Sequence, residues 1–516
     1  MDSPSRDLAQ EEILEGIIHD APDVEPAESP SSYLNPSRDG MEVDLREDEA
    51  DGFDDGEGDS SDDGEGYNSD DEEADLTENA PLLSKCQATK SSVFGLRGGM
   101  HTESVHRRLG ERSVKADTLS NRPVQRHRKL GQETKPPPDA EFNVVSYGAV
   151  GDSKTDDTPA FRKAWAAACS SSKPATMLVP KEKEFLVKQT TFSGQCKSSV
   201  RFKLDGMLVA PERSSWPKEN MNKWIMFNNV DKLTVSGEGT MDGKGEVWWK
   251  NSCRIDKNLK CTEAPTALLL SKCNHLKVEN IRLLNSQQMH MSVEDCKDVV
   301  LKHITIVAPG DSPNTDGIHI ARTKDIQVMD CNIKTGDDCM SIETGTENLY
   351  ASKITCGPGH GISVGSLGDK NSEARVSNIT INKAHLIGTT NGARIKSWQG
   401  GKGYAKDITF EDIIMDKVKN PIIIDQNYCY MDDPLQPKAC KKQTSAVELS
   451  NIQFKNIRGT SGTKEAIKLD CSDTIPCHDL VMQDVKLTFS GHGKGATSTC
   501  KNAKLKKSDN VIPKTC

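Results

Sequence analysis

The sequence predicts an all-β fold, a right-handed parallel β-helix, on three observations. One pattern recurs: apolar, any, apolar, any, any, apolar, any, apolar. It reads Leu276, Val278, Ile281, Leu283 in one copy, and further copies begin at Val299, Ile326, Leu349, Ile379, Ile408, Ile452 and Leu480. The steps between copies are 23, 27, 23, 30, 29, 44 and 28 residues. Alternation over three or four positions is the strand period, and the extra residue inside each copy marks a bend between two short strands. Helical i, i+3, i+4, i+7 runs are absent across the repeats. A unit this short cannot bury its own apolar face, so successive units must stack into a solenoid. Leucine-rich repeats share the unit length, but their Leu-x-x-Leu-x-Leu signature is missing.

Before the solenoid the chain changes character twice. Residues 1–80 carry 29 Asp or Glu against 3 Arg or Lys, a net of −26. Against −11 for all 516 residues, that leaves +15 on residues 81–516. Few apolar residues and abundant Gly and Ser make 1–80 an acidic disordered segment. Residues 81–140 reverse the charge and end in Lys135-Pro136-Pro137-Pro138, a basic, Pro-rich linker. Glu78 to Leu83 resembles an acidic dileucine sorting signal and is read as an accidental Leu pair in a disordered tail. The β-helix is expected over 141–490, with a weak early copy at Leu233 and Val235, and 491–516 as a Lys- and Cys-containing tail. No window holds 18 apolar residues, so no membrane-spanning helix is expected. Met1 does not open a signal peptide. Yet 15 of 16 cysteines lie beyond residue 160, a density suited to an oxidising compartment. Residues 1 to about 120 are therefore read as foreign to the domain, a fused or misjoined first exon in place of a secretion signal.

Four motifs follow in order: Asn314-Thr315-Asp316, Gly336-Asp337-Asp338, Gly359-His360-Gly361 and Arg394-Ile395-Lys396. Asp337 falls 11 residues after Ile326 and His360 falls 11 after Leu349, the same register in consecutive coils. Asp316 and Arg394 belong to the flanking coils, so all should share one surface. Three carboxylates this close repel one another, and at least one should hold a proton near working pH. A protonated carboxyl beside ionised ones is the acid-plus-base pairing of glycoside hydrolysis. Charge alone does not say whether Asp337 or Asp338 is the acid. Glycines around His360 suit a tight loop presenting one side chain. Arg394 and Lys396, two apart on a strand, project from one face and suit substrate carboxylates. The basic solenoid half favours a polyanion. Nucleic acid is the rival, but no compact Lys/Arg run with interleaved aromatics occurs in the solenoid.

The segments SPNTDGIHI (312–320), GDDCMSI (336–342), CGPGHGISVGSLG (356–368) and ARIKSWQGG (393–401) resemble those of plant polygalacturonases, glycoside hydrolase family 28. NVVSYGAVGDSKTDDTPAF (143–161) and IDQNYC (424–429) fit as well, and the likeness covers roughly residues 141–490. It implies a pectin-lyase-like β-helix and inverting hydrolysis of α-1,4 galacturonosyl linkages in pectin. By the same resemblance Asp337 is the general acid, and Asp316 and Asp338 activate the water. His360 supports the acid, Arg394 and Lys396 grip a galacturonate carboxylate, and Asn314 and Tyr428 line adjacent subsites. Met340 departs from the usual β-branched residue, a tolerable interior filler. Cys339 with Cys356, and Cys471 with Cys477, are the expected disulfides, the first bracing the loops of Asp337 and His360. No C-x2-C pair suggests a metal site. No cofactor is implied. Polygalacturonate is the expected partner of a monomer, with no nucleic acid and no membrane, and the expected place is extracellular, at the cell wall. The rival readings are a pectate lyase using Ca2+ and an arginine base, a catalytically silent pectin-binding β-helix, and function residing in the acidic tail. Endo or exo action stays open.

Overall fold

The computed structural model describes residues 139–217, 219, 221–429, 443–492 and 495–515. The acidic segment 1–80, the dileucine-like sequence and all but the last residues of the linker lie outside them. Among the described residues the chain forms a parallel β-helix, with strands in an 19-stranded and an 11-stranded sheet. Leu276 pairs with Val299, Val299 with Ile326, Ile326 with Leu349, Leu349 with Ile379, Ile379 with Ile408 and Ile408 with Ile452. The repeat copies are thus stacked in register, and these side chains are buried in one continuous core. Phe410 and Phe454 stack with ring centroids 5.6 Å apart.

The extra residue within each copy is a corner. Asn280, His303, Asp330, Lys353, Lys383, Asp412, Asn456 and Asp484 all have φ between 46° and 63°. Each sits just before the third apolar position of its copy. A second series precedes the first apolar position: His275, Asp298, Asp325, Asn348, Asn378, Asp407, Asn451 and Asp479. Asn and Asp tolerate this left-handed conformation better than other residues with a Cβ. Their side chains also bridge coils: Asn348 donates to Asp325 at 2.8 Å and Asn378 donates to Asn348 at 2.8 Å.

Two features depart from the sequence reading. A helix, Thr158–Cys169, precedes the coils, with Pro159 in its first turn. Its buried Phe161, Ala164, Trp165 and Ala168 follow i, i+3, i+4, i+7, a pattern outside the repeats. Trp165 packs 5.2 Å from Phe192 and 5.3 Å from Phe227, and the Cys169–Cys196 disulfide fastens the helix end. A solenoid end exposes its core in cross-section, and this helix covers it. The tail expected at 491–516 is instead another coil. Thr497–Lys501 pairs with Glu465–Asp470, and Ala503–Ile512 pairs with Cys477–Phe489, both in parallel. Its charged Lys504 to Asp509 hide the strand period because the last coil faces solvent on more of its surface.

Candidate active site

Six strands stand side by side in the 11-stranded wall: Met291–Glu294, Ile318–Ala321, Met340–Ile342, Ile362–Leu367, Asn391–Trp398 and Asn420–Tyr428. Ile318 pairs with Met340, Met340 with Ile362, and Ile362 with Ala393. Two residues before the first three of these stand Asp316, Asp338 and His360, one per coil, about 4.8 Å apart along the axis. The count made on the sequence paired Asp337 with His360. The register of this wall pairs Asp338 with it, because the link from Leu349 to Ile362 is one residue shorter than that from Ile326 to Met340. Asp337 still meets His360 from its loop. His360 Nδ1 lies 3.0 Å from Asp337 Oδ1, and the His360 amide donates to the Asp337 carbonyl at 2.7 Å.

Local backbone makes this contact possible. Gly361 has φ 88°, and a Cβ there would stand 2.0 Å from the Asn391 carbonyl oxygen. Only glycine allows so close an approach. The Cys339–Cys356 disulfide joins the residue after Asp338 to the loop of His360. Cys471–Cys477 closes a loop further along. Cys273, Cys296 and Cys331 are free and buried. Met340 is fully buried between Ile318 and Ile362.

Asp338 is 1% exposed and gathers cations. Arg394 Nη2 donates to its Oδ1 at 2.6 Å and Lys396 Nζ to its Oδ2 at 2.9 Å. The Ser363 hydroxyl donates to Oδ1 at 2.8 Å and accepts from Arg394 Nε at 2.8 Å. Arg394 and Lys396 thus share one face, as their spacing requires, but they are half occupied by a carboxylate of the protein. Two cations against one anion leave the pair with excess positive charge. Tyr428 stands beside them, its ring centre 5.5 Å from Lys396 Nζ. Asn314, with φ 55°, lies on the loop before Asp316.

Burial, then repulsion from Asp337 and Asp338, pushes the Asp316 carboxyl well above the usual range. Burial also acts upward on Asp337, but the hydrogen bond and charge of His360, with Lys396, outweigh it and hold that carboxyl at about 2. Of these two carboxyls, Asp316 is the one whose surroundings favour the protonated form. Asp337, with 21% of its side chain exposed, is the most open of the three. Ligand atoms of Asp337, Asp338 and His360 all lie within 4.8 Å of one another, close enough to share an ion. Arg394 and Lys396 on Asp338 oppose a divalent cation there by charge.

Several neighbours were not read from the sequence. His319 Nδ1 lies 2.9 Å from Ser341 Oγ, and burial pulls His319 down to about 4. His319, Ser341, Ser363 and Arg394 form one row across the wall. Each lies three residues after Asp316, Asp338, His360 or Asn391, and that constant offset was visible in the sequence. Buried His290 has Nδ1 3.2 Å from the Asp316 carbonyl, and burial lowers it to about 4. Glu343, two residues beyond Ser341, is raised by burial to about 7, with Lys396 opposing the rise.

Comparison with known proteins places this geometry. The profile of Glycosyl hydrolases family 28 matches residues 169–510. Polygalacturonase QRT2 of Arabidopsis thaliana is 51% identical over 373 residues, 72% of this chain and 83% of that one. Polygalacturonase-2 of Solanum lycopersicum is 50% identical over 372 residues, 72% of this chain and 80% of that one. Among solved structures, a polygalacturonase from Erwinia carotovora superposes with a TM-score of 0.56 at 24% identity, covering 72% of this chain and 98% of that one. An endo-xylogalacturonan hydrolase from Aspergillus tubingensis gives 0.60 at 22%, covering 72% and 100%. At such identities these two establish the fold alone.

Proposed function

The chain belongs to glycoside hydrolase family 28, and from that premise we propose that it is a polygalacturonase, hydrolysing α-1,4 galacturonosyl linkages of pectin with inversion. The observation that carries the reading is the cluster of Asp316 with Asp337 and Asp338 of the next coil, beside Arg394 and Lys396, in a chain about half identical to plant polygalacturonases.

Asp337 delivers the proton to the leaving oxygen. It is the carboxyl open to a substrate, and its Oδ2 has no hydrogen bond among the described residues. A sugar laid over it removes water and raises its proton affinity, while substrate charge near Arg394 adds to that rise. The proton held by Asp316 is then the one the cluster gives up, and Asp316 becomes the base. Asp316 and Asp337 repel each other directly, so one proton moving from Asp316 to Asp337 converts the resting site into the working one. Asp338 holds Arg394 and Lys396 in place and keeps a lone pair for the water. Their remaining positive charge takes a galacturonate carboxylate. His360 orients Asp337.

A Ca2+-dependent elimination is less well supported, because Arg394 and Lys396 already saturate Asp338 with charge. Every residue named comes from consecutive coils of one chain, so a monomer suffices. Its place of work is a pectin-bearing wall outside the cell, which suits the disulfides. Among the described residues no helix is long and apolar enough to cross a membrane. The test is to incubate the protein with polygalacturonic acid and follow reducing ends, viscosity and the anomeric form of the first product. Reducing ends must rise, EDTA must not prevent it, and the product must have inverted configuration. An unsaturated product absorbing in the ultraviolet would overturn the reading in favour of a lyase.

A further inference from the structure

We infer that Glu343 sets how tightly the site holds a galacturonate carboxylate: neutral, it leaves Arg394 and Lys396 to the substrate, and ionised, it opposes the substrate's charge and competes for theirs. The inference rests on the polygalacturonase reading and adds to it a residue that governs affinity without taking part in bond breaking.

The register of the wall places Glu343 on the same side as those cations. Ile320 pairs with Ile342, Ile342 with Val364, and Val364 with Ile395. One residue further on, Ala321, Glu343, Gly365 and Lys396 therefore stand in a second row across the wall, and Lys396 pairs in turn with Asp425. Ile320, Ile342, Val364 and Ile395 are buried in the core. The residues that alternate with them face the other way, as Ser341, Ser363 and Arg394 do. Gly365 lies between Glu343 and Lys396 in this row and has no side chain. A Cβ there would stand 2.1 Å from the Lys396 carbonyl oxygen, which keeps the position glycine. Glu343 and Lys396 thus confront each other over two coil spacings, roughly 9.6 Å between backbones.

The charges around Glu343 leave it able to change its own. On its own coil, Asp338 repels it. On the two coils before, Arg322 is engaged by Glu294 at 2.8 Å and Asp295 at 2.8 Å. His319, bonded to Ser341 and lowered by burial to about 4, is neutral above that pH. On the coils after, Lys396 attracts it, while Arg394 is held by Asp338 at 2.6 Å. Asp425, on the far side of Lys396, is itself raised by burial. Among the described residues Glu343 forms no direct ion pair. Burial therefore prevails over Lys396 and brings its carboxyl to about 7, whereas an ordinary Glu is already ionised two pH steps lower. Each unit of polygalacturonate brings a carboxylate of its own. A like charge about 10 Å away, at an effective dielectric of about 20, weakens binding about tenfold.

The test compares the full chain with Glu343→Gln and Glu343→Asp. It measures kcat and KM on polygalacturonate between about pH 5 and pH 8, at fixed ionic strength and well below the melting temperature. The parent KM should rise about tenfold across that range, most steeply at low salt, and the change should lie in KM rather than kcat. Gln should hold KM near its low-pH value throughout, and Asp, which keeps the charge, should restore a rise. A merely structural role would instead move KM, kcat and the melting temperature together at every pH. A parent KM that ignores pH, or a rise as steep in the Gln variant, overturns the inference while leaving the hydrolase reading standing. Absence of any hydrolysis by the parent overturns both.

Discussion

Replacing Asp338 by Asn and Asp337 by Asn should produce two different failures from neighbouring, chemically similar residues. Asp338 is 1% exposed and is the shared acceptor of Arg394 at 2.6 Å, Lys396 at 2.9 Å and Ser363 at 2.8 Å. Asn keeps the shape but removes the charge, and it turns one acceptor into a donor aimed at a cation. Two buried cations then lose the carboxylate they are hydrogen-bonded to, and breaking a buried pair in this way costs about 3–5 kcal/mol. Asp337 has a fifth of its side chain in solvent and one side-chain partner, His360, and its carboxyl is held at about 2 against 3.8, so Asn there should cost about 2 kcal/mol. Its kinetic cost is larger, since loss of a general acid typically removes about 10²–10⁴ in rate. Thermal melts and initial rates of reducing-end release on polygalacturonate separate the two. D338N should melt on the order of 5 °C or more below the parent, and D337N should melt less far below it while losing almost all turnover. A D338N protein as stable as the parent would refute the buried ion cluster. Parent-like rates in D337N would refute the acid assignment.

Other predictions follow from the same geometry. Buried histidines and buried carboxyls, Asp316 among them, should pull stability in opposite directions as pH changes. His290 and His319, at about 4 when folded against 6.5 ordinarily, lose stabilisation as pH falls from 6.5 through 4, each by about 3 kcal/mol. Glu343, at about 7 against 4.5, has the opposite sign, losing stabilisation as pH rises from 4.5 through 7. Glu343→Gln should therefore flatten the alkaline side of a melting-temperature profile, and a profile with an unchanged alkaline fall would dismiss Glu343 as its source. His360→Ala removes the partner that holds Asp337 low, so the acid limb of the kcat/KM profile should move to higher pH; an unmoved limb would show that Asp337 is set by something else. Ile326→Ala in the stacked core should cost about 2–5 kcal/mol in denaturant melts without altering KM. Gly361→Ala should abolish activity before it abolishes the coil, because the added Cβ meets the Asn391 carbonyl at 2.0 Å; a fully active variant would mean the His360 loop is not held by that approach.

The coil was legible because its determinants are local and repeated. Leu276, Val299, Ile326 and their successors reveal a strand period, and identical stacking environments force identical residue classes. The motif residues were legible for a related reason: Asp316, Asp338 and His360 stand at one place in successive coils. What one strand of text could not decide was the register between walls. The single residue missing between Leu349 and Ile362 shifts His360 from Asp337 to Asp338 in the ladder, while the loop returns Asp337 to His360 through space. The capping helix was missed because its pattern occurs once, and the last coil because solvent replaces a neighbour.

By itself the sequence determined that this chain winds, which face carries the carboxylates, and that the solenoid half is basic. Only the tertiary structure decided which charge meets which. Proton affinity depends on distance and burial, and both arise between coils rather than along them. Residues 316, 337 and 338 are the same amino acid, yet one is pushed up by its neighbours, one is held down by an imidazole, and one is enclosed by two cations.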